Sequence, residues 1–120
     1  LELTRSLPDD SRHRALLLRV HAFIEQHLSD IDLDPAAVAA AHHISVRYLH
    51  RLFEAENTTV AARIRQRRLE RCRAELAKGG DEPVHAIASR WGLPDSAHFS
   101  RLFRRAYGMP PAEYRRACVR

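Results

Sequence analysis

Cysteine is scarce in this 120-residue chain: Cys72 and Cys118 are the only two. That argues against a disulfide scaffold and against a cysteine zinc site. Four glycines exclude a Gly-rich phosphate loop of the GxxxxGK(S/T) kind. No run approaches ~18 apolar residues, so no membrane span is expected. The first residues, Leu1-Glu2-Leu3-Thr4-Arg5, lack both a signal-peptide profile and a starting Met. They predict a cytoplasmic fragment of something longer. Alternating apolar and polar stretches rich in β-branched residues are also missing, so no sheet is expected. Lysine is almost absent. Lys78 is the only one, and nineteen of the twenty strong cations are arginine. Arginine pairs bidentately with phosphate and with guanine edges. The bias fits a nucleic-acid partner, and equally a GC-rich genome.

Metal and catalytic frames are missing too. Asp30-Ile31-Asp32-Leu33-Asp34 resembles the start of an EF-hand loop, but Pro35 stands at its sixth position and Ala41 at its twelfth. The loop needs Gly and Glu there. The eight histidines include no i, i+4 pair, and His42-His43 are adjacent. No metal and no cofactor are therefore expected. No Ser/His/Asp or Cys/His arrangement stands on a recognisable frame, so the chain is not read as an enzyme. Cys72 and Trp91 read as core residues, and Cys118 as an exposed thiol near the C-terminus.

The net charge of +5 is uneven. Residues 1–44 carry four Arg and seven acids, net −3; residues 45–73 carry eight Arg and three Glu, net +5. Residues 74–95 carry two cations and four acids, net −2; residues 96–120 carry six Arg and one Glu, net +5. Two basic blocks suggest two electrostatic footprints on a partner.

What the chain does contain is helix signals throughout. Ser11 is a candidate cap for a first helix, with Leu16, Val20, Phe23, Ile24 and Leu28 on one stripe. Asp34-Pro35 opens a short second helix bearing Val38 and Ala39. Ser45 caps a third, Val46–Glu56, with Leu49, Leu52 and Phe53 inward; Asn57 ends it in the left-handed region. Thr59 caps a long helix with Ala61, Ile64, Leu69, Cys72 and Leu76 on one face, stopped at Gly79-Gly80. Pro83 begins a fifth helix with Ile87, Ala88 and Trp91, closed by Gly92. Asp95 caps a sixth with Phe99, Leu102 and Phe103, closed by Gly108. Pro110-Pro111 opens a last helix containing Tyr114.

The pattern repeats. Val38-Ala39 answers Ile87-Ala88 after 49 residues, Arg51-Leu52-Phe53 answers Arg101-Leu102-Phe103 after 50, and Asn57 answers Gly108 after 51. The drift places one extra residue in the second turn and one more before the closing Gly. Each copy reads short helix, tight turn, longer helix. That is a helix-turn-helix unit, whose second helix enters the major groove.

The stretch from Ile87 to Arg115 is the most specific. It carries Ile87-Ala88, then Gly92, then Phe99-Ser100-Arg101-Leu102-Phe103, then Gly108-Met109-Pro110-Pro111 and Tyr114-Arg115. Upstream stands Arg68-Leu69-Glu70-Arg71-Cys72 with Leu76. Over residues 15–118 the chain resembles the C-terminal DNA-binding domain of the AraC/XylS family of bacterial transcription regulators. Asn57, Arg63 and Cys72 depart from the family's usual glycine, aromatic and alanine. The resemblance implies an all-α fold of about seven helices, two helix-turn-helix subdomains joined by a long linker helix. Residues 1–12 would be an interdomain linker remnant, 13–58 the first subdomain, 59–78 the linker helix and 79–120 the second subdomain. As a helix, residues 60–77 span roughly 27 Å at 1.5 Å per residue. Successive major-groove faces lie ~34 Å apart, so one chain would span adjacent grooves.

Helical geometry selects the candidate readers. Arg47, His50 and Arg51 lie opposite Leu49, Leu52 and Phe53. Ser96, Ala97, His98 and Arg101 are assigned the matching outward places opposite Phe99, Leu102 and Phe103. The family's base-contacting positions map onto these residues. Arg51 and Arg101 suit guanine O6 and N7, and Ala97 suits a thymine methyl. Ser45, Arg65, Arg68, Arg104 and Arg105 are candidates for phosphate; the four arginines are equally placed for intramolecular acids, Arg68 for Glu70 or another acid. The partner predicted is double-stranded DNA, and no membrane. The resemblance adds RNA polymerase as a partner in activation, and an N-terminal effector or dimerisation domain absent from this chain. Two other readings stay open: a helical protein-interaction module with basic faces, and an accessory DNA-binding domain of a larger enzyme.

Overall fold

The computed structural model describes the backbone of residues 2–118 and the side chains of residues 10–118. The described residues form seven helices and no strand: α1 (Glu2–Gln26), α2 (Pro35–Ala41), α3 (Val46–Glu54), α4 (Val60–Ala77), α5 (Val84–Arg90), α6 (Ser96–Tyr107) and α7 (Pro111–Cys118). The chain divides into two compact units. The first comprises α1 up to His27 together with Asp32–Arg63; the second comprises Leu28–Ile31 with Ile64 onward. Helix α4 begins in the first unit and ends in the second.

Most of the expected caps are in place. Side-chain oxygens of Asp34, Ser45, Thr59 and Asp95 accept from the backbone N–H of Ala37, Tyr48, Ala62 and His98, at 2.8, 3.0, 3.1 and 3.0 Å. Each satisfies one of the donors a helix start leaves open. Asn57 (φ 57°) follows α3, with Thr58 N–H reaching the Phe53 carbonyl and Asn57 N–H the Glu54 carbonyl. These are the two bonds of a left-handed helix stop. Gly108 (φ 83°) stops α6 by donating to the Arg104 carbonyl at 2.8 Å.

Three expectations at helix ends and faces are corrected. Ser11 is not a cap: α1 begins at Glu2, so Ser11 is an exposed interior residue and Pro8 lies inside the helix. Serine has middling helix propensity and tolerates such a place. Helix α3 ends at Glu54, not Glu56, because the stop at Asn57 draws back on the Phe53 and Glu54 carbonyls. Ala61 is exposed; Val60, its neighbour, is the fully buried residue at the start of α4.

In the first unit Val20 and Ile24 of α1, Val38 and Ala39 of α2, and Leu49, Leu52 and Phe53 of α3 are buried. Their spacing is the three-to-four residue stripe of packed helices. In the second unit Leu69, Cys72 and Leu76 of α4 form a core with Ile87 and Ala88 of α5 and Phe99 and Phe103 of α6. Tyr107 and Tyr114 meet the Phe103 ring edge-on, at 4.8 and 5.6 Å between centroids. Tyr114 thereby docks α7 onto α6 with the edge-to-face geometry aromatic rings prefer. Cys72 is fully buried and its thiol is pushed up to about 12, first by desolvation. It is a packing residue and no nucleophile.

Candidate nucleic-acid interface

The two units are built alike, down to their turns. Helices α2 and α5 have seven residues each, and the second turn is longer by one residue. After α2, His43 (φ 56°) donates to Ala40 while Ile44 reaches back to Ala39; after α5, Gly92 (φ 81°) donates to Ser89 while Leu93 reaches back to Ala88. His43 and Gly92 are the same position, 49 residues apart. A left-handed residue without glycine is strained by roughly 1–2 kcal/mol. The first unit bears that strain, and the second cannot. A Cβ on Gly92 would stand 2.7 Å from the Arg68 guanidinium carbon.

Arg68 itself corrects an expectation. It was a candidate for phosphate, but it is 8% exposed. Its Nε donates to the Leu28 carbonyl at 3.0 Å and its Nη2 to the Asp30 carbonyl at 2.6 Å. Burial pulls its pKa below the ordinary arginine value, and Asp30 opposes that pull. Arg68 is a structural tie inside the second unit, between α4, the Leu28–Ile31 turn and Gly92. The acidic loop that resembled a calcium site supplies a carbonyl for this tie, and Asp34 supplies a cap. Among the described residues no group of three or more His, Cys, Asp or Glu is placed to hold a metal.

Other arginines are also engaged. Arg67 Nη1 pairs with Glu70 Oε1 at 2.6 Å. Arg71 lies over the Trp91 ring and Arg73 over the Tyr107 ring, 5.7 and 4.4 Å from their centroids. Arg90 pairs with Glu75 and Glu82, and Trp91 Nε1 donates to the same Glu75 carboxylate. Arg115 donates to the Glu82 carbonyl. Together these bonds tie α4, α5 and α7 of the second unit.

The arginines on α3 and α6 contrast with these. Arg47 and Arg51, and Arg101, Arg104 and Arg105, are exposed, and none makes a hydrogen bond or ion pair with another described side chain. The hydrogen-bonded caps at Ser45 and Asp95, with buried Leu49 corresponding to buried Phe99 and buried Phe53 to buried Phe103, fix a common register at an offset of 50. At roughly 100° per residue, Arg47, His50, Arg51 and Glu54 share the arc opposite the α3 core. Ala97, Ser100, Arg101 and Arg104 share that arc on α6. Arg51 and Arg101 are equivalent. His50 is matched by Ser100, not by His98; His98 corresponds to half-buried Tyr48 and is exposed on the flank of the arc. Ser100 and Glu54 escaped the sequence reading, although the 50-residue offset pointed to both. Ser45 and Ser96 are exposed at the helix starts, and Arg65 and Arg105 flank a cleft of about 460 Å³ over Leu69, Leu102 and Ala106 in the second unit.

A family model described as a helix-turn-helix domain matches residues 38–117. The chain belongs to the AraC-type helix-turn-helix family. Transcriptional activator NphR of Rhodococcus sp. is 42% identical over 104 residues, which are 87% of this chain and 31% of that protein. Transcriptional activator RhrA of Rhizobium meliloti is 33% identical over 94 residues, 78% of this chain and 30% of that protein. The chain thus spans under a third of these two relatives. Among solved structures, the C-terminal domain of AraT, a response regulator from Geobacillus stearothermophilus, is 29% identical with a TM-score of 0.79, covering 85% of this chain and 84% of that one. A transcriptional regulator from Chromobacterium violaceum shares the fold at a TM-score of 0.80 and 22% identity, over 92% and 97% of the two chains. As in these AraC-type domains, the described part of the chain is all-helical. None of its helices is long and apolar enough to cross a membrane.

Proposed function

We propose that this domain binds double-stranded DNA sequence-specifically, with α3 and α6 as recognition helices in adjacent major grooves. The observation that carries the reading is one arginine at the same register in both units. Arg51 and Arg101 are exposed on the arc opposite the core and make no ion pair among the described residues. Each suits the guanine major-groove edge, where a good bidentate contact discriminates by ~1–3 kcal/mol. Arg47, His50, Ser96, Ala97 and His98 complete the proposed base-contacting set. Ser45, Arg65, Arg104 and Arg105 are the proposed phosphate contacts, which position the protein without reading sequence. Helix α4 has 18 residues, ~27 Å of rise, a spacer of the order of the ~34 Å groove repeat.

We propose further that the protein is a cytoplasmic transcription regulator that activates beside RNA polymerase; the name transcriptional activator, borne by NphR and RhrA, supports activation alone. An N-terminal effector or dimerisation domain would supply the control. No catalytic step is assigned to the domain. Titration of a fluorescent duplex at several salt concentrations tests the reading. The three arginines proposed at phosphate alone give a log–log slope of about −3, and further contacts steepen it; a slope near zero contradicts duplex binding.

A further inference from the structure

The two recognition helices are unequal in charge. Helix α6 carries Arg101, Arg104 and Arg105 and no acid, net +3; helix α3 carries Arg47, Arg51 and Glu54, net +1. At the common register charge differs at three places, Arg47 against Ala97, Ala55 against Arg105 and Glu54 against Arg104, and only the last reverses sign. At the common register Glu54 occupies the place of Arg104, in the middle of the outward arc, one turn beyond His50 and Arg51. Folding offers no reason for an acid there. Glu54 ends α3, where a negative charge opposes the helix dipole. It is exposed and makes no hydrogen bond or ion pair with a described side chain, whereas Glu56, two residues on, is held by His21 at 2.9 Å.

We infer that Glu54 weakens the grip of the first unit on DNA, so that α6 is the anchoring half and α3 the conditional half of the interface. The inference rests on the duplex-binding reading above. If Arg104 faces phosphate, then Glu54, at the same register, faces phosphate as well. A carboxylate there repels the backbone and removes one counterion-releasing contact that a cation would make. The alternative use of a carboxylate in the major groove is acceptance from a cytosine amino group. That use belongs to base-reading residues near the start of a recognition helix, and Glu54 lies at the end of its helix. The consequence is hierarchical binding. The α6 half-site fills first, and the α3 half-site depends on sequence quality, low salt or a neighbouring protein.

The test compares wild type, Glu54→Gln, Glu54→Arg and Arg104→Glu on one selected duplex and on random duplex. Glu54→Gln is expected to tighten both several-fold by the same factor. Glu54→Arg is expected to tighten them further and to steepen the log–log salt slope by about 0.9. Arg104→Glu is expected to weaken both. Hydroxyl-radical footprints should show the α6 half-site protected at lower protein concentration than the α3 half-site, with Glu54→Arg closing the gap. Unchanged affinity in both Glu54 variants overturns the inference. So does weakening confined to duplexes with one particular cytosine, which would make Glu54 a base reader. A wild-type salt slope near zero, with Arg101→Ala without effect, would instead sink the duplex-binding reading. Circular dichroism melts check that each variant stays folded.

Discussion

Arg68 and Arg51 carry the same guanidinium into opposite surroundings. Arg68 is 8% exposed and bonded to two backbone carbonyls; Arg51 is exposed, with no ion pair among the described residues. Their substitutions should therefore separate stability from binding. Arg68→Ala leaves the buried Leu28 carbonyl unsatisfied, which costs about 1–3 kcal/mol. A lowered denaturation midpoint with an unchanged salt slope of DNA binding is expected. Arg51→Ala and Arg101→Ala should leave the melting temperature alone. Each should cost about 1–3 kcal/mol on a cognate duplex and relax preference at a different half-site. The turn residues offer a second contrast. His43→Gly should stabilise by roughly 1 kcal/mol through relief of a left-handed residue. Gly92→Ala should destabilise by more than that, because the new Cβ also meets Arg68. Chemical denaturation of the two variants checks the opposite signs. Sequence could not distinguish the two kinds of arginine. Helical spacing says which side a residue takes, but the carbonyls that receive Arg68 come from residues 38 and 40 positions away.

At the scale of the element, short-range chemistry did most of the specifying. Asp34, Ser45, Thr59 and Asp95 cap because each precedes an apolar stripe by the right spacing, and a cap is a local bond. Ser45→Ala should lower stability by about 1 kcal/mol, read as a shift of the urea midpoint. The Asp95 carboxyl is held below its usual pKa, chiefly by the hydrogen bond from the His98 N–H. A depressed acid contributes stability above its unfolded pKa and loses it as pH falls through the folded value. The α6 start should therefore loosen only on acidification below the ordinary Asp range, and Asp95→Asn should blunt that dependence in acid melts. Helix α1 was less legible. A serine before an apolar stripe is also acceptable inside a helix, so Ser11 carried no stop. Recognition helices depend on the aromatics beneath them. Phe53 and Phe103 are equivalent and fully buried, and truncating either to Ala should cost about 3–5 kcal/mol.

At the scale of the whole molecule, the net charge of +5 resolves further than its two blocks. Much of the first block lies in α4, where Arg67 meets Glu70, Arg68 is buried, and Arg71 and Arg73 sit over Trp91 and Tyr107. Those charges hold the fold. The exposed cations on α3 and α6 remain for a polyanion, and they are fewer on α3. The repeat was visible in the sequence because the same apolar residues recur at a nearly constant offset. Within the second helices the offset of 50 already matches His50 with Ser100 and Glu54 with Arg104, but pairing histidine with histidine and arginine with arginine passed over both. That is why Ser100 and Glu54 were missed. On the proposed reading α3 and α6 each read DNA through one equivalent arginine. Selection of bound sequences from random duplex DNA, with wild type, Arg51→Ala and Arg101→Ala, tests it most directly. A site of two blocks about one helical turn apart is predicted, each variant erasing a different block. Enrichment of no sequence, or of a site that both variants leave intact, would contradict it.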